Sequence, residues 1–219
     1  VRGVVFDLDG TIVANMPLHA EAFGAFMAGH GLPPLDEGQR ARLDGKRNSD
    51  IFPELFGRAL PAEQLRAFAA EKEALYRELS KGQLAPAPGL LRLLARLAAR
   101  GVPAAIATSG PAENVRHTLA ELALAERLAL VVRGDEVPRG KPHPDIFLAA
   151  AARLGVEPAW CLAFEDSPAG VAAACAAGMR CVALTTSFTE AAFRATGTAP
   201  DAFVRDFDEF LDQLDEEAV

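Results

Sequence analysis

The chain is poor in cysteine. Cys161, Cys175 and Cys181 are its only three, an odd number with no ligand-like spacing. This argues against a disulfide framework and points to buried thiols of a reducing compartment. Positive charge is also short, with 22 Lys and Arg against 30 Asp and Glu and a net charge of −8. A nucleic-acid or anionic-membrane partner would favour a basic surface, so neither is expected. No run of about 18 or more residues is apolar and uncharged enough to span a bilayer. The sequence runs straight into Val4-Val5-Phe6 with no charged-then-apolar leader. Residues before Val1 aside, a cytoplasmic location is the expectation. Internal repeats and low-complexity tails are absent, and the acidic stretch Asp212 to Glu217 reads as a solvated helix face or a fraying end.

What remains is an ordinary globular composition, half hydrophobic over 219 residues, enough for one good core and a smaller companion domain. Short apolar runs bounded by turn residues predict strands over Val4–Asp7, Ala104–Thr108, Leu128–Val132, Trp160–Phe164 and Cys181–Leu184. Helical patterns fall between them, over Gly89–Arg100, Ala112–Leu122, Pro144–Leu154 and Pro168–Ala177. Gly101, Gly155 and Gly178 stand just past helix ends, where a left-handed residue is wanted. This alternation predicts an α/β, Rossmann-like parallel sheet covered on both faces. From about Met16 to Gly82 the alternation stops and only helix patterns appear: Pro17–Gly29, a short helix capped by Ser49 and running through Phe56, and a long one from Pro61 to Ser80. Gly82–Pro88 has the composition of a hinge. The expected organisation is an α/β core of residues 1–15 and 83–219 with a small helical cap, residues 16–82, inserted into it.

Four motifs carry chemistry. Asp7-Leu8-Asp9-Gly10-Thr11 follows the first strand, where open parallel sheets bind ligands. Alternation puts Asp7 and Asp9 on one side, so that one can attack while the other handles a proton. Gly10 lets the chain turn and a phosphate approach its backbone. Such a motif is equally a polar turn closing a strand. A calcium EF-hand loop is excluded, because Ile12 stands where it needs its sixth-position glycine. Thr108-Ser109 ends the second strand ahead of a helix, a ready phosphate cradle or a plain N-cap. In Arg139-Gly140-Lys141-Pro142-His143-Pro144-Asp145 two prolines stiffen a loop from which Lys141 can project a charge toward a phosphate or simply into solvent. Glu165-Asp166-Ser167 ends another strand; its carboxylates suit a hard cation such as Mg²⁺, or complement a helix dipole.

Taken in order, these motifs resemble those of the haloacid dehalogenase superfamily. Within it the likeness is to the beta-phosphoglucomutase and phosphoglycolate-phosphatase-like group, through "FDLDGT", "MPLHAEAF", "GKPHPDIF" and "FEDSPAGVAAACAAGM". The resemblance covers essentially the whole chain. It implies Asp7 as nucleophile and Mg²⁺ ligand, and Asp9 as general acid and base lending its carbonyl to the metal. It further implies Thr108 and Lys141 as phosphoryl-binding groups, Asp166 as a direct metal ligand, and Glu165 as a ligand directly or through water. The implied partner is a small phosphorylated metabolite, handled by a monomer or weak dimer. A phosphatase is the first expectation; a sugar-phosphate mutase, an inorganic pyrophosphatase and a non-enzymatic scaffold are the alternatives. Many relatives carry an acidic "VDS" run after the first motif, whereas Val13-Ala14-Asn15 stands here. His19 is expected near Asp9 at the hinge or on a helix surface, and Lys46 and Arg47 form a loop facing substrate or solvent. In the long cap helix Lys72 interrupts the apolar stripe Leu65, Phe68, Leu75, Leu79. It either snorkels to water or meets an anionic part of the substrate.

Overall fold

The computed structural model describes residues 1–197 and 199–216, so Glu217 of the acidic end lies outside the described residues. Six parallel strands form one sheet in the order β3-β2-β1-β4-β5-β6. They are β1 (Gly3–Phe6), β2 (Ala104–Thr108), β3 (Val131–Arg133), β4 (Cys161–Glu165), β5 (Arg180–Leu184) and β6 (Ala202–Val204). Four helices separate β1 from β2: α1 (Met16–Gly29), α2 (Glu37–Leu43), α3 (Asn48–Leu55) and α4 (Ala62–Ser80). The remaining helices are α5 (Leu90–Ala99), α6 (Ala112–Glu121), α7 (Asp145–Leu154), α8 (Pro168–Ala176), α9 (Glu190–Ala195) and α10 (Phe207–Glu216).

The period of two along each strand sorts the core into two halves. Val4, Phe6, Ile106, Phe164, Val182 and Val204 face α5, α6 and α10. Val5, Ala105, Ala107, Ala163 and Ala183 face α7, α8 and α9. The second face is lined by small residues, which lets its helices sit close to the sheet. Gly101, Gly155 and Gly178 end their helices at positive φ, as their positions require. A third cluster, built on Phe26, Met27, Phe52, Leu60 and Phe68, draws only on α1, α3, α4 and the loops between them. The inserted helices thus have a core of their own. Their two connections to the sheet run side by side, with Val13 bridging Pro86 and Ala87 N–H donating to Ile12 O at 2.8 Å.

The third strand starts at Val131; Leu128 is fully buried, but in a turn. Residue Arg47, not Ser49, stands at the N-cap of α3, and Ser49 lies inside its first turn. Cys161 and Cys181 are buried, but Cys175 is exposed. Elements α2, α9, β6 and α10 add to those expected, α10 beginning at Phe207, ahead of the acidic stretch. Among the described residues no helix is long and apolar enough to cross a membrane.

Candidate active site

Strand register assembles the centre of the site. Phe6 pairs with Ile106 on one side and with Phe164 on the other. One residue further along, Asp7, Ala107 and Glu165 stand abreast at the ends of three neighbouring strands. Lys141, from the loop before α7, reaches all three. Its Nζ donates to Asp7 Oδ1, to Glu165 Oε1 at 2.6 Å and to Ala107 O at 3.1 Å. Burial works against the lysine's charge, but the two carboxylates outweigh it and its pKa is raised. Burial also pushes the Asp7 carboxyl upward, with Glu165 adding and Lys141 opposing. Asp166 is pushed well above the usual carboxylate range by burial and by the charges of Glu165 and Asp7. Such crowding of desolvated acids marks a place built to receive positive charge.

Glu165 is held by its own segment and by Lys141. Its Oε2 accepts from Asp166 N–H at 2.8 Å, Ser167 N–H at 2.9 Å and Ser167 Oγ at 3.0 Å. A Cβ at Gly170 would lie 1.6 Å from Oε1, so the carboxylate occupies room left by that glycine under α8. Glu165 therefore braces Lys141 from below. Gly10 differs from expectation. Its N–H is spent on Asn15 Oδ1 at 3.0 Å and Val13 O at 2.8 Å, so it does not face a phosphate. With φ of +82°, and a would-be Cβ 1.9 Å from Asp166 Oδ2, it makes the turn and leaves space for that carboxylate.

Asp9 stands across the site and is held by groups from the inserted helices. Asn15 Nδ2 donates to Asp9 Oδ1 at 2.6 Å and to the Tyr76 hydroxyl at 2.5 Å. His19 Nε2 lies 3.4 Å from the same carboxylate oxygen. Lys72 Nζ lies 2.9 Å from His19 Nδ1; an ammonium only donates, so the ring hydrogen sits on Nε2 and faces Asp9. Burial opposes the Asp9 charge, but His19, Asn15 and Lys72 outweigh it and lower the pKa.

A cavity of about 230 Å³ opens over these groups. Asp7, Asp9, Thr108, Ser109, Asp166 and Ser167 form its floor. Met16, Phe23, Met27, Leu35 and Ile51 line an apolar wall, and His19, Lys46, Asn48, Lys72, Glu73 and Asn114 a polar one. Thr108 is buried, its Oγ1 accepting from Gly110 N–H at 3.0 Å, while Ser109 Oγ donates to Gly45 O at 2.7 Å. Lys72 does not snorkel. It is 3% exposed, donates to Glu73 Oε1 at 3.0 Å and lies 4.3 Å from the Phe23 ring centroid. Arg47 is the expected substrate group that the structure removes from this cavity, since it turns toward the sheet domain instead. Asn15, Tyr76, Glu73, Asn114 and Ser187, whose Oγ donates to Asp166 Oδ2, were not singled out as site residues from the sequence.

A strand end bearing two carboxylates, a buried lysine and paired acids under a helical insertion define a phosphoryl-transfer enzyme on a Rossmann-like sheet. Residues 1–178 match the haloacid dehalogenase-like hydrolases, and the chain belongs to that family. It is 34% identical to the protein CbbY of Rhodobacter capsulatus, over 86% of this chain and 87% of that one. It is 35% identical to hexitol phosphatase A of Escherichia coli, over 84% and 82% of the two chains. The crystal structure of CbbY from Rhodobacter sphaeroides in complex with xylulose-(1,5)bisphosphate superposes with a TM-score of 0.81 at 26% identity, covering 95% of this chain and 96% of that one.

Proposed function

We propose that the chain is a Mg²⁺-dependent phosphatase of small phosphate monoesters that works through a phospho-aspartate on Asp7. In this reading residues 16–82 form a cap over a core of residues 1–15 and 83–219. The observation that carries it is Lys141 clamped between Asp7 and Glu165, with Asp9 facing the same cavity. The Asp7 carboxylate attacks phosphorus as the bond to the leaving oxygen breaks, and Asp9 gives that oxygen its proton. Water then attacks the acyl-phosphate, passes its proton to Asp9 and releases phosphate, restoring Asp7. An environment that favours the Asp9 carboxylate makes it a ready donor once protonated and the resting base afterwards. Lys141, Thr108 and the N–H groups after β2 hold the phosphoryl oxygens.

Among the described residues no cluster of three or more acidic, histidine or cysteine side chains forms a complete metal cage. Mg²⁺ keeps several waters and takes one or two carboxylates together with substrate phosphate. Asp7 and Asp166 would hold it, with the Asp9 carbonyl, and Thr11 and Ser187 orient Asp166 from behind. When bound, the ion supplies charge neutralisation for the phosphoryl group.

A mutase must seat a second phosphate in the cavity. Against that reading, Lys72 is paired with Glu73, Lys46 lies 3.8 Å from Glu54 and Arg40 lies 3.9 Å from Asp44. The relatives named as phosphatases support the hydrolytic reading. Phosphate release from an aryl phosphate, lost on EDTA treatment and restored by Mg²⁺, is the expected result. A rate untouched by chelation overturns the metal assignment.

A further inference from the structure

Arg47 stands at the head of α3 in the inserted helices, yet its side chain ends against the sheet domain. Its guanidinium Nη1 donates to Gly134 O at 3.2 Å, Val137 O at 3.4 Å and Pro138 O at 3.5 Å. The stem passes between two glycines. A Cβ on Gly134 would meet Arg47 Cγ at 2.9 Å, and a Cβ on Gly140 would meet Arg47 Nε at 2.6 Å. Any other residue at either glycine would close this slot. On its own side, Asp50 holds the guanidinium with Nε at 2.9 Å and Nη2 at 3.3 Å. The side chain is therefore set in direction by its own helix before it engages. The receiving segment, residues 134–140, leads directly into Lys141.

We propose that Arg47 is a latch that couples docking of the helical insertion to the position of Lys141. Three carbonyls converging on one guanidinium fix both angle and depth of approach, which a lysine's single point charge does not reproduce. The latch holds the segment that presents Lys141 to Asp7 and seats the wall bearing Lys46 and Asn48 over the phosphoryl site. Arg47 is a positioning residue and touches no substrate. This inference rests on the phosphatase reading for its kinetic consequences but not for its geometry.

The test compares Arg47→Ala, Arg47→Lys, Gly140→Ala, Gly134→Ala and the double variant Arg47→Ala/Gly140→Ala with the full wild-type chain. Small-angle X-ray scattering of the protein alone should show a larger radius of gyration in Arg47→Ala and in either glycine variant. Thermal midpoints should stay near wild type, because the two domain cores are untouched. Each single variant should lower kcat/KM by about tenfold or more, as misplacement of a catalytic group does. The loss should be alike for esters with neutral and with anionic leaving groups. The double variant should be no worse than the poorer single, since both changes remove one interaction, and Arg47→Lys should recover only part. Unchanged scattering in Arg47→Ala and both glycine variants overturns the proposal. So do additive losses, or a loss confined to anionic esters, which would make Arg47 a substrate contact. If wild type releases phosphate from no ester, the phosphatase reading fails and the scattering comparison still decides the latch.

Discussion

Asn15 stands where the sequence departs from the run common among its relatives, and its amide is used completely. It joins the Asp9 carboxylate, the Gly10 N–H and the Tyr76 hydroxyl, tying the first motif to α4. Burial, with the nearby Asp9 charge, pushes the Tyr76 phenol up to about 12, so it stays protonated at any working pH. Because Asn15 is neutral and donates to Asp9, it favours the ionised form. Asn15→Asp would set a like charge against the same oxygen and raise the Asp9 pKa. Because Asp9 donates its proton in the first half-reaction, the alkaline limb of the kcat/KM profile, where Asp9 loses that proton, should then move up by about one unit or more. An unmoved limb would take Asp9 out of the proton-transfer role. Asp7→Asn should abolish turnover while the thermal midpoint holds, because an amide forms no acyl-phosphate. Measurable phosphate release by the pure variant counts against Asp7 as nucleophile.

Helix α4 joins the insertion to α6 of the sheet domain through a buried polar ladder. Glu73 accepts from Lys72, from Asn48 at 2.7 Å and from Asn114 at 2.6 Å, and Arg77 donates to Asn114 Oδ1 at 2.8 Å. Burial opposes the Glu73 charge, yet Lys72, His19 and the hydrogen bonds from Asn48 and Lys72 lower its pKa below the ordinary 4.5. A lowered folded pKa contributes stability above the unfolded value, lost as pH falls through the folded one. Glu73→Gln should therefore destabilise at neutral pH by on the order of 3 kcal/mol, as breaking a buried pair does. The gap in melting temperature from wild type should narrow as pH falls below the ordinary 4.5 and through the lowered folded value, where Glu73 takes up its proton. A gap that persists there would mean hydrogen-bond geometry, not charge, sets the effect. Of this ladder the sequence reading singled out only Lys72; Glu73 and Arg77 share α4 with it, but Asn48 and Asn114 come from α3 and α6, which no spacing links to it. Most helices were legible from their apolar stripes, but α10 was read only at its acidic end although Phe207, Phe210, Leu211 and Leu214 form a stripe. Glu37–Leu43 has no such stripe, although the Asp36 and Gln39 capping box was there to be read. Ala202–Val204 is a three-residue edge strand, too short to show alternation.

Across the whole molecule, the order of motifs was readable because each sits at a strand's C-terminal end or in the loop beyond it, a property of parallel sheets rather than of any one residue. What the sequence could not show is which cations are already spent. Lys72 interrupts an apolar stripe, and the expectation was either solvent or an anionic substrate group. The fold instead gives its ammonium to Glu73 and His19. Lys46 and Arg40 also have acids nearby, and Arg47 leaves the cavity for the sheet domain. A second anionic group on the substrate would have to displace one of these partners or lie beside an unneutralised carboxylate. An uncharged polyol, by contrast, offers hydroxyls to Asn48, Glu73 and Asn114 and a C–H face to Phe23, Met27 and Ile51. Hexitol monophosphates should accordingly be turned over with kcat/KM about tenfold or more above phosphoglycolate or a sugar bisphosphate. Lys72→Met should lower activity on all of these esters together and reduce the melting temperature, because it leaves Glu73 buried without its cation. A panel of phosphate esters assayed on wild type and variant decides the matter. Preference for the doubly anionic esters, lost selectively in Lys72→Met, would return Lys72 to direct substrate binding.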